Sequence, residues 1–167
     1  MAFISQQAWI FTASIKQNIL FGHAWNKARF ERVVEACSLA KDLALLPFGE
    51  NTLAAERGIN LSGGQRARIS MARALYSDAD IFLFDDSLSA VDGPVAKFLL
   101  TNCINGYLKS KIRVLVTHHA QHLEYADKVG IIKLHINPKN INWHRECINK
   151  FISDTRPSCV VVKTEKD

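Results

Sequence analysis

No stretch of the 167 residues approaches the roughly 20 consecutive apolar residues needed to cross a bilayer. The opening residues lack the charged-then-apolar pattern of a secretory leader. Any attachment to a membrane is therefore expected to come through partners. Cysteine is sparse: four residues, at 37, 103, 147 and 159, without the paired spacing that binds zinc or staples a small secreted domain. Cys37 falls in a helix-like apolar pattern from Phe30 to Leu45, where a buried free thiol is the expected state. A basic stripe is missing too. Residues 1–132 hold 14 basic and 12 acidic side chains, and residues 133–167 hold 7 and 4. So mild an excess, weighted to the end, argues against a nucleic-acid partner. Internal repeats and low-complexity tracts are also absent.

What is present is an ordered series of chemically suggestive segments. At 48% apolar, the chain has enough length and apolar content for one cored domain. Leu61-Ser62-Gly63-Gly64-Gln65 leads into a helix pattern from Arg66 to Tyr76, with Ala67, Met71, Ala74 and Leu75 on one face. A Ser-Gly-Gly turn at a helix start leaves free backbone N–H groups at the positive end of the helix dipole, which suits an anion such as phosphate. Ile81-Phe82-Leu83-Phe84 reads as a strand buried on both faces of a parallel sheet. It ends in Asp85-Asp86, hard oxygen ligands at the strand end where ligands of open α/β sheets collect. A polar turn from Ser87 to Asp92 follows, then a helix pattern from Pro94 to about Leu108. The next apolar run, Val114-Leu115-Val116, ends at Thr117-His118, so strand, helix and strand make a crossover unit.

With Ser5-Gln6-Gln7-Ala8-Trp9-Ile10-Phe11, Asn18-Ile19-Leu20-Phe21-Gly22 and Glu56-Arg57-Gly58, these segments resemble an ABC transporter nucleotide-binding domain. The resemblance is to the C subfamily, that of the multidrug-resistance-associated organic-anion exporters, and runs from residue 1 to about 132. It implies an α/β fold: part of a P-loop NTPase, the RecA-like core of an ABC ATPase, plus a helical subdomain. Residues 1–11 would hold the Q-loop, 12–80 the helical subdomain with the signature, and 81–132 the core from Walker B to the switch histidine. ATP and Mg²⁺ are the implied cofactors. Gln6 would help position Mg²⁺ and the attacking water, Asp85 would hold Mg²⁺ through water, and His118 would contact the γ-phosphate. Asp86 takes the catalytic carboxylate position. Leu61, Ser62, Gly63, Gly64 and Gln65 would close over ATP held by a second nucleotide-binding domain, paired head to tail, with Asp92 touching that partner. The transporter's transmembrane domains are the other implied partner, with Trp9, Ile10 and Phe11 as the docking patch. They would hold the chain at the cytoplasmic face of a membrane.

Two departures qualify that picture. A Walker A loop needs G-x-x-x-x-G-K-[ST], whose glycines let backbone N–H groups wrap the phosphates while its lysine neutralises them. The eight glycines stand at 22, 49, 58, 63, 64, 93, 106 and 130, and the one pair at that spacing, Gly58 and Gly63, has no following lysine. The Walker A strand, loop and helix are therefore lacking. The chain by itself is expected to be catalytically inactive and marginal in stability, with uncovered strand edges. The second departure is Asp86, where hydrolytic members of the family carry glutamate. The shorter carboxylate, typical of the N-terminal and weakly hydrolytic domain of the subfamily, would stand back from the water.

His118-His119-Ala120-Gln121-His122 could present two histidines four apart, but no acidic third ligand stands at a zincin spacing. His119 and His122 are read as solvent-facing. Beyond Lys133 the resemblance stops. Residues 133–167 are expected to be a divergent, poorly ordered tail with at most a short helix between Trp143 and Ile152. The leading functional expectation is part of an ATPase domain of an exporter of organic anions or conjugates. The alternative is a non-catalytic interaction module that offers its signature face to a complete domain. A soluble ABC protein of DNA repair or translation ranks below both, because Ser5–Phe11 and Asp85–Asp92 read as exporter sequence.

Overall fold

The computed structural model describes residues 1–133 and 159–165. In chain order the strands and α-helices are β1 (Ala2–Ile4), β2 (Ala13–Ser14), α1 (Ile15–Leu20), α2 (Lys27–Ala36), α3 (Ala40–Leu45), β3 (Leu53–Ala54), α4 (Gly63–Tyr76), β4 (Ile81–Asp85), α5 (Gly93–Phe98), β5 (Ile112–Thr117), β6 (Lys128–Lys133) and β7 (Cys159–Glu165). Five of the strands build one sheet in the order β1-β4-β5-β7-β6, with every neighbouring pair parallel. β2 and β3 make a separate antiparallel pair within the helical layer. The carboxyl ends of the parallel strands thus share one edge, and Ile4, Asp85 and Thr117 bring the predicted site residues to it.

The core lies where the sheet meets α4 and the helical stretch after β4. Phe82 and Phe84 are buried, whereas Ile81 and Leu83 are only half covered, so β4 is buried fully on one face and not on both as expected. Burial of each phenylalanine ring stabilises the fold by about 1.5–3 kcal/mol. Helix α4 begins three residues earlier than its apolar period suggests. Ser62 caps it: its hydroxyl accepts from the Gln65 N–H, while the Ser62 N–H donates to Gln65 Oε1. Small side chains at Ala67, Ala72 and Ala74 let it be buried nearly all round. Gln65 and Arg68 both bond Asp42, which ties α3 to the start of α4.

Several expectations need correction. The Phe30–Leu45 pattern is two helices: Ser38, at φ 53, turns the chain between α2 and α3. Cys37 sits buried at that join, and burial, with Cys103 beside it, pushes its thiol pKa well above the ordinary value. The helix from Gly93 changes winding, from α through Phe98 to π from Leu99 to Tyr107. The tail is not wholly irregular, because Cys159–Glu165 forms β7 between β5 and β6. The short helix expected between Trp143 and Ile152 lies outside the described residues.

Candidate functional site

The turn after β4 makes the site. Asp86 leaves the strand at φ 45, a left-handed conformation that is costly for a residue with a Cβ. Its N–H is held by the Val116 carbonyl at 2.9 Å, and its own carbonyl accepts from the Ser89 hydroxyl at 2.7 Å. So positioned, the Asp86 carboxylate meets two other segments. Gln6 Nε2 donates to Asp86 Oδ2 at 2.9 Å, and His118 Nδ1 lies 3.0 Å from Asp86 Oδ1. Gln6 follows β1 and His118 follows β5, the two strands that flank β4. Three residues spread over more than a hundred positions therefore converge at one sheet edge, with both oxygens of Asp86 engaged. Asp85 ends β4 exposed, opposite Val116, and among the described residues no hydrogen bond or ion pair occupies it. It is free to take a cation or water.

The second half of the candidate site is the start of α4. Ser62, Gly64, Arg68, Ala90, Val91, Asp92 and Val95 line an open cavity of about 210 Å³. A Cβ on Gly64 would stand 3.3 Å from the Ala90 carbonyl, so glycine lets the turn after β4 approach the helix start. A Cβ on Gly63 would meet nothing within 4 Å, and Gly63 itself is exposed. Leu61 is buried beneath, and the Arg66 guanidinium donates to its carbonyl. Asp92 caps α5 by accepting from the Val95 N–H at 2.9 Å, so one of its oxygens already has a structural task. The Ser62–Gln65 and Gln6–Asp86–His118 groups are separate constellations joined by the Ser87–Asp92 turn.

Two histidine expectations part company. His118 is half exposed beside Asp86, but His122 is buried, not solvent-facing. Its Nδ1 lies 3.0 Å from the Thr117 hydroxyl, and burial, helped by His119, pulls its pKa below the ordinary value. His122 thus braces the end of β5 as a neutral ring.

Sequence reasoning also missed the pair that organises the segment after Gln6. Asn18 is fully buried in α1: its Nδ2 donates to the carbonyls of Phe11 and Ser14, and its Oδ1 accepts from the Phe11 N–H and from Arg73. Arg73 also donates to the carbonyls of Asn18 and Trp9, and its guanidinium lies 4.9–5.7 Å from the Trp9, Phe11 and Phe21 rings. Burial lowers the Arg73 pKa to about 10, which leaves it charged at neutral pH. Trp9 and Phe21 remain about half exposed beside a cavity of about 400 Å³ that Phe3 and Arg73 also line. Ile10 does not join this surface as expected. It is buried against Gly58, whose φ of +66 and close approach to Ile10 exclude a larger residue. The available signal was Asn18 itself, a polar residue between Ile15 and Ile19 on an apolar helix face.

Comparison with known proteins agrees with this arrangement. Residues 1–89 match the sequence family described as ABC transporter. ABC transporter C family member 5 of Dictyostelium discoideum is 53% identical over 133 residues, covering 80% of this chain and 9% of that protein. ATP-binding cassette sub-family C member 4 of Homo sapiens is 50% identical over 133 residues, covering 80% of this chain and 10% of its own length. Sub-family C member 3 of Homo sapiens is 51% identical over 134 residues, 79% of this chain and 9% of that protein. The chain therefore spans about a tenth of the length of these relatives. On the matching family, the convergence of Gln6, Asp86 and His118 and the capped Ser-Gly-Gly helix start, the chain belongs to the ABC transporter family, as part of a C-subfamily nucleotide-binding domain.

Proposed function

We propose that these residues form the hydrolysis-side and signature-side parts of the ATPase domain of a membrane exporter of organic anions or conjugates. The observation that carries the reading is the meeting of Gln6, Asp86 and His118 at the carboxyl edge of β1, β4 and β5. Mg²⁺ and ATP suit part of this donor set. Asp85 offers an unengaged carboxylate, Gln6 an amide oxygen and His118 a ring nitrogen. Among the described residues no group of three acidic, histidine or cysteine side chains could hold a metal alone, so Mg²⁺ would be shared with phosphate oxygens. When bound, the metal would neutralise charge on the β- and γ-phosphates. Asp85 would orient its water shell, Gln6 and Asp86 would align the attacking water, and His118 would hold the γ-phosphate. The N–H cradle for the remaining phosphates is not supplied by a Walker A loop within these 167 residues.

Pairing follows from the helix start. Gly63 and Gly64 stand at the helix start, Gly63 exposed and Gly64 lining the open cavity, and their backbone N–H groups make a surface suited to phosphates held by a second nucleotide-binding domain facing head to tail. The half-exposed Trp9 and Phe21 are suited to dock the exporter's transmembrane domains and hold the chain at the cytoplasmic face. The division into 1–11, 12–80 and 81–132 is retained on the same reading. The alternative, an interaction module without catalysis, draws on the missing G-x-x-x-x-G-K-[ST]. Both readings require ATP-dependent pairing. The chain should co-elute with a complete C-subfamily nucleotide-binding domain in Mg-ATP, and Ser62→Arg should reduce capture at least about tenfold, roughly 1.4 kcal/mol. Equal capture with and without ATP would sink the pairing.

Asp86 sets the expected rate. One methylene shorter than glutamate, its carboxylate stands back from the water, and a misplacement of about 1 Å costs on the order of 10²-fold. That is the basis for assigning the segment to an N-terminal, weakly hydrolytic domain. In a transporter carrying this segment, Asp86→Glu should raise ATP turnover at this site toward that factor. Unchanged single-site turnover would remove the assignment.

A further inference from the structure

The histidine that touches Asp86 stands on a turn closed from behind by another histidine. Thr117 ends β5, and residues 118–122 double back on it. His122 Nδ1 lies 3.0 Å from the Thr117 hydroxyl, which also accepts from the His119 N–H at 3.1 Å. The His122 N–H in turn donates to the His119 carbonyl at 3.1 Å. These three contacts tie down the residue on each side of His118. The His118 ring itself is half exposed, with Asp86 as its hydrogen-bond partner. The rings of residues 118, 119 and 122 also stand in series, with successive centroids 4.0 and 5.2 Å apart.

The proton positions follow from counting donors. Thr117 and His122 are each 2% exposed, so a hydrogen bond left unmade there is costly. The Thr117 hydroxyl has one proton to give, and among the described residues His122 Nδ1 is the acceptor in contact with it. The neutral His122 ring therefore accepts at Nδ1 and carries its proton on Nε2. That N–H can meet water in a cavity of about 270 Å³, which His122 lines with Gly93, Lys97 and Tyr125. At the other end of the turn the Asp86 carboxylate can only accept, so His118 donates to it from Nδ1. The two rings thus hold opposite tautomers, each set by its partner.

We propose that His122 is a positioning residue for His118: through the Thr117 hydroxyl it fixes the turn that points the His118 ring at Asp86 and at the phosphate edge. It does so without touching Asp86. Two of the three contacts that close the turn run through that hydroxyl, so losing the acceptor on His122 or the hydroxyl itself frees His118. The effect on turnover rests on the reading of His118 as the γ-phosphate contact; the geometry of the turn does not.

Nitrogen-15 spectra of the histidine rings in the full 167-residue chain at pH 8 test the positioning. Wild-type His118 should show the Nδ1–H form. His122→Phe keeps a ring but removes the acceptor, and Thr117→Val removes the hydroxyl at nearly constant shape. Both should release His118 into a mixture of tautomers. His122→Asn places a carbonyl oxygen where Nδ1 stands and should restore the wild-type spectrum. Melting temperatures show which variants stay folded, and either folded deletion decides. A wild-type His118 spectrum in folded His122→Phe or Thr117→Val overturns the proposal, and unfolding of both would make the pair a structural prop and overturn it too. Release by His119→Ala but not by Thr117→Val would place the support in the ring series instead.

Turnover separates the positioning from the reading beneath it. In a transporter carrying this segment, shifting the ring by part of the 1 Å that costs on the order of 10²-fold should make His122→Phe about tenfold slower at this site, with His122→Asn within about threefold of wild type. In a His118→Ala background, His122→Phe should add less than about twofold, because both changes remove the same contact. A further tenfold loss there would show that His122 acts by another route and would overturn the proposal. Wild-type turnover in His118→Ala alone would remove the γ-phosphate reading, while the spectra still decide the positioning.

Discussion

Ending the chain at Ser158 is expected to release β6 from the sheet and to abolish a cooperative melt. The reason is the strand order. β6 pairs with β7 over six positions, Lys128 to Lys133, while β7 pairs with β5 over five, Arg113 to Thr117. Among the described residues, β6 has no other strand neighbour. Removing β7 therefore strips two parallel ladders at once. At about 1 kcal/mol net per backbone hydrogen bond, the loss rivals the 5–15 kcal/mol that stabilises a typical domain. β5 would also become a bare edge open to pairing with other chains, and it is the strand that leads into His118. Hydrogen exchange gives the decisive readout. Amides of 112–117 and 128–133 should lose protection in the shortened chain, while those of β4 facing β1 lose it last. Retained protection at 128–133 would mean that β6 can close the gap onto β5, and that β7 is dispensable. Among the described residues β1 is an outer strand with no neighbour on its far side, and Phe3 in it is 60% exposed. Marginal, self-associating behaviour is therefore expected even with β7 in place.

Why β7 escaped the sequence reading is a matter of range. Val160-Val161-Val162 is a short β-branched run, and whether it pairs depends on a slot between two strands whose partners of Val160, Val114 and Lys128, lie 46 and 32 residues earlier. β4 and β5 were legible because each is an apolar run ended by polar residues that close a parallel strand. The start of α4 was legible only in part: its apolar period places it at Arg66, whereas the reciprocal cap between Ser62 and Gln65 starts the helix at Gly63. What local pattern could not carry was backbone conformation at single residues. Ser38 at φ 53 divides one apolar period into two helices, and Asp86 at φ 45 aims its carboxylate at Gln6 and His118. The roles of Gln6 and His118 came from the resemblance; their 2.9 and 3.0 Å separations from Asp86 come from a left-handed turn residue that no apolar period reveals. His122 failed for a related reason, since a surface-looking histidine run folds one ring inward onto Thr117.

Asn18→Ala is expected to destabilise the chain by about 3–5 kcal/mol, the upper range for a single substitution. Four hydrogen bonds of 2.9–3.1 Å converge on this one fully buried amide. Alanine would leave the Phe11 N–H and carbonyl without that partner, at about 1–3 kcal/mol for each buried group that water cannot reach. The Ser14 carbonyl would be hurt less, because a helical carbonyl at the first turn keeps its intrahelical donor. Arg73 would keep the Asn18 main-chain carbonyl and the Trp9 carbonyl, but lose the side-chain oxygen that fixes its tilt. Asn18→Asp discriminates the mechanism. It preserves the acceptor for Arg73, yet sets a carboxylate oxygen against the Phe11 and Ser14 carbonyls, so its cost should be substantial despite matched size. Urea unfolding of the three proteins measures both effects. A cost below about 1 kcal/mol for alanine would show that water replaces the amide and that the site is not sealed. Because Arg73 stands among Trp9, Phe11 and Phe21, the same substitution should loosen that aromatic surface before the sheet gives way. Tryptophan emission should then shift at lower urea than the far-ultraviolet signal. Coincident transitions would instead bind the aromatic surface to the sheet as one cooperative unit, so that a partner pressing on Trp9 and Phe21 acts on the same body that carries Gln6.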